Sequence, residues 1–174
     1  MMKKGLVQIY TGNGKGKTTA ALGQGLRAIG HGLKVIMIQF MKGKIDYGEL
    51  KAVRKLKNFK IEQYGLPTFV DRDRPSAKDL ALAQKGFQRA SEVIISGKYD
   101  IIILDEINVA IDYGLIKLSE VLNLIKQKPK GVELILTGRY APAELLDVAD
   151  LVSEILEVKH YFQKGLKPRK GIEY

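Results

Sequence analysis

Residues 10–23 read YTGNGKGKTTAALG, a glycine-rich run that connects an apolar stretch to a stretch of helix-forming residues. The usual phosphate-binding loop has a glycine, four intervening residues and then Gly-Lys-Ser/Thr. Counted back from GKT at 16–18, the first glycine of that pattern would occupy position 11, which is Thr11. The nearest glycine, Gly12, leaves three residues before Gly16. The run therefore predicts a shortened phosphate-binding loop, and it leaves open which end of a nucleotide undergoes chemistry.

Short apolar, β-rich runs alternate with helical patterns along the chain. Five runs are predicted strands, at 6–10, 35–40, 60–64, 101–104 and 134–136. A sixth, at 151–158, mixes polar and apolar residues and is predicted to be an edge strand. This alternation predicts a three-layer α/β fold with a mostly parallel central sheet, like that of phosphate-loop NTPases with a recombinase-like core. In such sheets ligands bind at the carboxyl ends of the strands.

Helical patterns fill the intervals between the predicted strands. The first follows Lys17 and is stopped by the glycines within 30–32. A second begins near residue 76, where Ser76 and Asp79 resemble a capping box. Two more are predicted, one around 118–125 and one that begins near Pro142, a residue type that suits the first turn of a helix.

The composition fits one globular domain, which we predict to span residues 1–174. A hydrophobic content of 45% is sufficient for a core, and the lack of cysteine excludes disulfides and thiolate metal sites. The two histidines do not favour a histidine-built zinc site. No apolar run approaches the roughly 20 residues of a membrane span, and the first predicted strand begins too early for a signal peptide. These features predict a soluble cytoplasmic protein without a membrane partner.

The formal net charge of +10 raises the question of a polyanionic partner. Five basic residues fall within 51–60, and another five within the basic C-terminal tail, which we define as residues 159–174. Such charge runs are most often solvated faces, and we favour that interpretation over nucleic acid. A polyanionic small ligand is a third interpretation that the charge alone leaves open.

The loop has the context that a phosphate site requires, because it follows a predicted strand and opens a predicted helix. Glycines at 12, 14 and 16 allow the backbone to turn sharply and to direct its N–H groups inward, and the helix adds the positive end of its dipole. Lys17 is expected to pair with phosphate oxygens, and the Thr18 hydroxyl is expected to reach Mg²⁺. Lys15 adds a further cation beside the loop.

Two acidic residues, Asp105 and Glu106, directly follow the apolar run at 101–104. A phosphate-loop protein needs carboxylates at the end of a buried strand to hold its metal ion, directly or through water. Together with Thr18 they form the predicted Mg²⁺ site. Arg139 follows the next strand and is equally consistent with a crevice residue that meets negative charge and with an exposed turn residue.

The end of the second predicted strand carries Gln39 and Phe40, which either line the same crevice or simply finish the strand. A lone histidine such as His160 is more often structural than functional. The residues together predict a site for a nucleoside triphosphate with Mg²⁺. Kinases, ATPases, recombinase-like motors and nucleotidyl transferases all share those parts, so the residues alone leave the reaction open.

Six stretches, in this order, resemble the ATP:corrinoid adenosyltransferases, a family that adenosylates cobalamin and its precursors. They are TGNGKGKTTAA at 11–21, GHGLKVIMIQFMKG at 30–43, ILDEI at 103–107, LTGR at 136–139, LLDVADLVSE at 145–154 and VKHYFQKGLKPRKGIEY at 158–174. The resemblance extends from about residue 6 to the end of the chain, and it includes the missing first glycine of the loop.

This resemblance implies that a corrinoid in the Co(I) state attacks the 5′ carbon of ATP, which forms a cobalt–carbon bond and releases triphosphate. The family holds ATP in the loop in the direction opposite to that of ordinary phosphate-loop enzymes. The triphosphate is then anchored as the leaving group, and C5′ is exposed. Because the nucleophile carries no proton, no general base is required. The substrate supplies the difficult chemistry, and the protein supplies position and electrostatics.

The resemblance also implies roles for individual residues. The implied catalytic residues are Lys17, Thr18 and Glu106, where Lys17 neutralises charge that grows on the leaving group. The Mg²⁺ ligands are expected to be Thr18, Asp105 and Glu106. ATP is expected to be bound by Gly12, Asn13, Gly14, Lys15, Gly16, Lys17, Thr18, Thr19 and Arg139.

For the corrinoid, the residues expected to make contact are Gln39, Phe40 and Phe69. An aromatic ring packed under its own loop is an equal alternative for Phe69. Family members often carry an N-terminal helical extension over the corrinoid site. Here the first strand is predicted to begin at about residue 6, so we expect that lid to be absent or replaced.

The resemblance implies ATP and a corrinoid as substrates, Mg²⁺ as cofactor, a homodimer, and a flavoprotein reductant as a transient partner because cobalt must reach Co(I). An alternative from another class is an ATP-dependent nucleic-acid-binding ATPase with a recombinase-like core, and a small-molecule kinase is the third candidate. The basic clusters lack interleaved aromatic residues beyond Tyr161 and Phe162, and no recognised nucleic-acid-binding motif is present. These two features argue against nucleic acid as a partner.

Overall fold

The computed structural model describes residues 3–43 and 47–174, and its centre is a six-stranded sheet. The strands are β1 (Val7–Thr11), β2 (Val35–Phe40), β3 (Phe59–Tyr64), β4 (Ile101–Asp105), β5 (Glu133–Thr137) and β6 (Leu151–Glu154). They lie in the order β3-β2-β4-β5-β1-β6, and every neighbouring pair is parallel. The predicted α/β fold with a parallel sheet is confirmed.

Helices cover both faces of this sheet, which makes three layers. They are α1 (Lys17–Gly30), α2 (Gly48–Val53), α3 (Ala77–Ser96), α4 (Ile107–Asp112), α5 (Leu118–Gln127) and α6 (Ala143–Val148), and a 3₁₀ turn spans Tyr161–Lys164. Side chains of α1 and α2 pack with Val35 and Met37 on one face, whereas α3 to α6 pack with Ile36 and Ile38 on the other. The alternation along β2 follows from the two-residue repeat of a strand. Among the described residues, no helix is long and apolar enough to cross a membrane.

The central strands are the most buried part of the molecule. All residues of β2, β4 and β5 are buried, as their continuous apolar runs predicted. The predicted capping box also forms, because the Ser76 side chain accepts from the Asp79 N–H and the Asp79 carboxylate accepts from the Ser76 N–H. Three short elements were not predicted: α2, α4 and the 3₁₀ turn each have six residues or fewer, too few to show a period.

The edge strand β6 is shorter than the predicted 151–158, which was wrong at its C-terminal end. Its partner β1 ends at Thr11, where Gly12 turns the chain into the phosphate loop, so β6 has no strand to pair with beyond Glu154. Instead the Ile155 carbonyl accepts a hydrogen bond of 2.7 Å from the N–H of Gly14. The end of β6 thereby supports the phosphate loop from outside.

Candidate active site

The phosphate loop leaves β1 at Thr11 and enters α1 at Lys17. Gly12 and Gly16 have φ angles of 93° and 125°, which residues with a side chain rarely adopt. Gly14 is needed for a different reason, because a Cβ atom there would lie 2.6 Å from the Leu156 carbonyl oxygen. Gly12 and Gly16 therefore allow the loop to turn, and Gly14 allows the segment after β6 to approach it closely.

The Gly14→Ala variant is expected to bind ATP about tenfold more weakly, because the new methyl group would push the loop away from residues 155–156. The affinity can be measured by isothermal titration calorimetry. Gly23→Ala is a suitable control, since a Cβ atom at Gly23, in the middle of α1, meets no atom within 4 Å. Equal affinity of the Gly14→Ala variant and the wild type would contradict this role of the glycine.

Lys17 is buried at the start of α1, and its ammonium group donates hydrogen bonds of 2.7 Å to the carbonyl oxygens of Gly12 and Gly14. Burial lowers the pKa of the ammonium, while the nearby Glu106 carboxylate opposes that shift. The side chain is thus held inside the loop, next to the N-terminus of a helix. A cation and a helix N-terminus at one place attract phosphate oxygens.

Asp105, at the carboxyl end of β4, is fully buried and joins four elements. Its Oδ1 accepts from the hydroxyls of Thr18 (2.8 Å) and Thr137 (2.7 Å), and its Oδ2 accepts from Gln39 Nε2 (3.0 Å) and Lys42 Nζ (2.7 Å). Burial alone would raise the pKa of this carboxyl, but the Lys42 charge and the hydrogen bonds outweigh it and lower the pKa. Asp105 is therefore an ionised carboxylate fixed against Thr18.

Glu106 is the N-cap of α4 and has a backbone φ of 63°. Its N–H donates to Thr137 Oγ1 (3.1 Å), but within the part of the chain that the structure describes no hydrogen bond or ion pair reaches its carboxylate. Burial and the neighbouring Asp105 raise the pKa of the Glu106 carboxyl. An unpartnered acid at this place is available to a ligand or a metal ion.

Backbone strain is concentrated around the site. Among the described residues, the non-glycine residues with positive φ are Met41, Glu106 and Tyr140, at 58°, 63° and 60°. Met41 directly follows β2, Glu106 directly follows β4, and Tyr140 lies a few residues after the end of β5. All three line the same cavity. Strained conformations of this kind cluster at functional sites because the surrounding structure holds them.

Two neighbouring cavities open at this edge of the sheet. The first, of about 700 Å³, lies over the phosphate loop and is lined by residues 14–19 and by the chain end at 171–174. The second, of about 370 Å³, is lined mainly by apolar and aromatic side chains, namely Phe40, Met41, Phe69, Val70, Tyr113 and Tyr140. The cavities have in common the side chains of Lys42, Tyr47, Glu106 and Arg139. Ligands bound in the two cavities would therefore meet beside Glu106.

The remaining candidate residues divide into those that reach a cavity and those that do not. Arg139 is exposed, yet it lines both cavities and its Nη2 donates to the Asn13 carbonyl (3.2 Å). Gln39 is fully buried and lines neither cavity, because its amide is bound to Asp105. Phe69 is fully exposed at the second cavity, so the alternative that it packs under its own loop is wrong. His160 lines the first cavity, and its Nδ1 accepts from the Phe162 N–H (3.0 Å).

Sequence reasoning missed several residues of the site. Lys42 and Thr137 bind the Asp105 carboxylate, and their positions after β2 and at the end of β5 were the available signal. Tyr161 and Glu173 of the basic C-terminal tail contact Lys15 of the loop. Neither the charge of the tail nor its resemblance to the family gave a sign of that contact.

Known proteins resemble this chain along nearly its whole length. The family model described as "ATP:corrinoid adenosyltransferase BtuR/CobO/CobP" matches residues 3–174. A corrinoid adenosyltransferase of Sinorhizobium sp is 39% identical over 99% of this chain and 81% of its own length. The corrinoid adenosyltransferase of Escherichia coli K12 is 36% identical, and the corrinoid adenosyltransferase CobA of Salmonella typhimurium 35%, each over 99% of this chain and 87% of the relative. With a phosphate loop, a buried carboxylate and an adjoining aromatic cavity in place, the chain belongs to the ATP:corrinoid adenosyltransferase family.

Proposed function

We propose that the protein transfers the 5′-deoxyadenosyl group of ATP to the Co(I) centre of a corrinoid and releases triphosphate. The observation that carries this proposal is the pair of cavities that share Glu106, Lys42 and Arg139, in a chain of this family. In the reaction the cobalt electron pair forms the bond to C5′. The bond between C5′ and the α-phosphate oxygen breaks, and its electrons leave on triphosphate.

The loop cavity holds the triphosphate as leaving group. Residues 14–16 of the loop and the N-terminus of α1 line this cavity, and Lys17 neutralises the charge that grows on the triphosphate as the bond breaks. Arg139 lines the same cavity and adds a second cation. Because the cobalt nucleophile carries no proton, Glu106 has no proton to remove, and we assign it to ligand and metal binding.

For Mg²⁺ we propose Thr18, Asp105 and Glu106. The Thr18 hydroxyl donates to the Asp105 carboxylate (2.8 Å), and the Glu106 carboxylate, which no hydrogen bond or ion pair from the described residues reaches, lines the same cavity as Thr18. The residues that the structure describes contain no group of three or more acidic or histidine ligands. That fits Mg²⁺, which usually takes one or two carboxylates and completes its shell with phosphates and water. Bound there, the ion would neutralise triphosphate charge.

For the corrinoid we propose the second cavity, with Phe40 in its wall and the exposed Phe69 at its surface. Flat macrocycles bind well to aromatic and apolar side chains. Gln39, also expected to contact the corrinoid, is buried, and we propose that it acts by holding Asp105. Corrinoid contact is therefore assigned to Phe69, and the fully buried Phe40 is proposed to support the wall of the cavity.

The Phe69→Ala variant is expected to raise the KM for the corrinoid about tenfold and to leave the KM for ATP unchanged, because the ring lines only the second cavity. Steady-state rates under anaerobic conditions provide both constants. Ile95→Ala removes another exposed apolar side chain, which lies on α3 and lines neither cavity, and serves as control. A change in the KM for ATP of the same size would contradict the assignment.

We also propose a homodimer in the cytoplasm and a flavoprotein reductant as transient partner, since the cobalt must be reduced to Co(I) before it attacks. Membership in the family supports these proposals. Light scattering coupled to size-exclusion chromatography tests the dimer. Transfer driven by a reduced flavoprotein in place of a chemical reductant tests the partner.

The nucleic-acid-binding ATPase is not favoured. The family model that covers residues 3–174 describes ATP:corrinoid adenosyltransferases. Membership in the adenosyltransferase family also argues against a small-molecule kinase.

The proposed function is tested by incubating the protein anaerobically with MgATP and chemically reduced cob(I)alamin. We expect the absorption spectrum of adenosylcobalamin, a product that light destroys by breaking the cobalt–carbon bond. Omission of ATP or of the reductant should prevent its formation. If the complete mixture yields no light-sensitive corrinoid, the proposal is wrong.

A further inference from the structure

The last residues of the chain return to the phosphate loop and bind Lys15. The Lys15 ammonium donates to the Tyr161 hydroxyl (2.9 Å), the Ile172 carbonyl (2.9 Å) and Glu173 Oε1 (2.8 Å). An ammonium group has three hydrogens, so each of them is engaged with the C-terminal tail. Lys15 was expected to bind ATP, and in the structure its ammonium group is bound to the C-terminal tail instead.

Glu173 is the centre of this contact. Its carboxylate accepts from Lys15, from the Tyr161 hydroxyl, and from the backbone N–H (2.7 Å) and Nε (3.3 Å) of Arg169. Only 17% of its side chain is exposed. The Arg169 guanidinium also lies 4.9 Å from the centroid of the Tyr161 ring. Four side chains thus form one cluster in which the single acid joins two cations.

The cluster places the chain end at one side of the nucleotide cavity. Residues 171–174 line that cavity together with loop residues 14–19. The tail follows β6, which lies outside β1 at one edge of the sheet, whereas the second cavity lies at the ends of β2, β4 and β5. The chain end therefore closes the side away from the second cavity.

We propose that Glu173 and Lys15 form a latch that holds residues 171–174 as one wall of the nucleotide cavity, so that Glu173 is a positioning residue for ATP. The wall leaves the nucleotide open toward the second cavity, where C5′ must meet the corrinoid; this consequence, unlike the latch, rests on the proposed function. The competing account is that Lys15 binds triphosphate directly and that Glu173 merely forms an ion pair with Lys15 when no ATP is bound.

The two accounts predict opposite signs for the Glu173→Gln variant. If Glu173 is part of a latch, the variant binds ATP about tenfold more weakly, whereas a carboxylate that merely occupied Lys15 would give tighter binding when removed. Isothermal titration calorimetry with MgATP measures the difference. Glu157→Gln is the matched control. Glu157 is an exposed acid that accepts a hydrogen bond from Gln163, does not contact the phosphate loop and does not line the nucleotide cavity.

A double-mutant cycle with Lys15→Met completes the test. Partners of one latch are expected to be non-additive, so the double variant should bind ATP no more weakly than either single variant. Bound ATP should also slow hydrogen–deuterium exchange of the backbone amides of residues 171–174 in the wild type and not in Glu173→Gln. Unchanged or tighter binding by Glu173→Gln, or additive losses in the double variant, would overturn the latch.

These binding experiments need no corrinoid, so they separate the latch from the proposed reaction. A wild type that forms adenosylcobalamin, with a Glu173→Gln variant that binds ATP normally, would refute the latch and leave the reaction standing. The reverse pattern, weakened ATP binding in the variant and no transfer by the wild type, would keep the latch and refute the reaction.

Discussion

The Lys17→Ala variant is expected to lose corrinoid adenosylation by a factor of about 10³ while it keeps its fold. Lys17 is the buried cation of the loop, held by the carbonyls of Gly12 and Gly14. As the bond to C5′ breaks, negative charge grows on the triphosphate, and the preorganised ammonium stabilises it more than it stabilises bound ATP. Loss of that difference lowers the rate of transfer at saturating ATP, which the adenosylcobalamin spectrum measures.

The fold should survive this substitution because burial already opposes the Lys17 charge, as its lowered pKa indicates. Thermal unfolding of the variant checks that point. Lys78→Ala, which removes an exposed lysine from the first turn of α3, is the control for a loss of one positive charge. Near-normal transfer by Lys17→Ala would mean that the triphosphate site is wrongly assigned.

The Asp105→Asn variant is expected to lose both transfer and stability, by about 3 kcal/mol in the free energy of unfolding at neutral pH. The substitution keeps the shape of the side chain, but it removes the charge that balances Lys42, 2.7 Å away and largely buried. The new amide also places an NH₂ group among four hydrogen-bond donors. Urea unfolding measures the loss of stability.

The pH dependence of this loss has a definite sign. The pKa of Asp105 is lowered in the folded protein, so its stabilising contribution is present above the ordinary carboxyl pKa and is lost as the pH falls through the folded value. The difference between wild type and Asp105→Asn should therefore be full at neutral pH and shrink only in acid.

The double variant Asp105→Asn/Lys42→Met separates stability from activity. Removal of the unpaired cation should restore part of the stability, while transfer should remain lost because the proposed metal ligand is still absent. A single Asp105→Asn variant within 1 kcal/mol of wild type would contradict the role of Asp105 as the charged centre of the site.

Local patterns in the sequence were sufficient for much of the fold. The continuous apolar runs of β2 and β4, and the capping box at Ser76, each depend on residues close together in the chain, and all were confirmed. The end of β6 could not be predicted in this way. It depends on where β1 turns away, and β1 lies more than 140 residues earlier in the chain.

In the candidate site, too, the features formed by neighbouring residues could be predicted and those formed by residues distant in the chain could not. The loop at 12–18 and the acids after β4 could be recognised because each is one contiguous motif. The latch could not, because Lys15 and Glu173 are 158 residues apart, and an acid within a basic tail resembles any solvated charge. The exposure of Phe69 was equally out of reach, since only the folded loop determines whether its ring is covered.

The phosphorus product of the reaction tests the central claim most directly, because attack at C5′ and attack at phosphorus release different anions. The protein is incubated with MgATP under anaerobic conditions, with and without cob(I)alamin, and the products are separated by anion-exchange chromatography or ³¹P NMR. We predict intact triphosphate, in an amount equal to the adenosylcobalamin formed and only when the corrinoid is present. ADP and phosphate formed irrespective of the corrinoid would contradict the account and indicate an ordinary ATPase site.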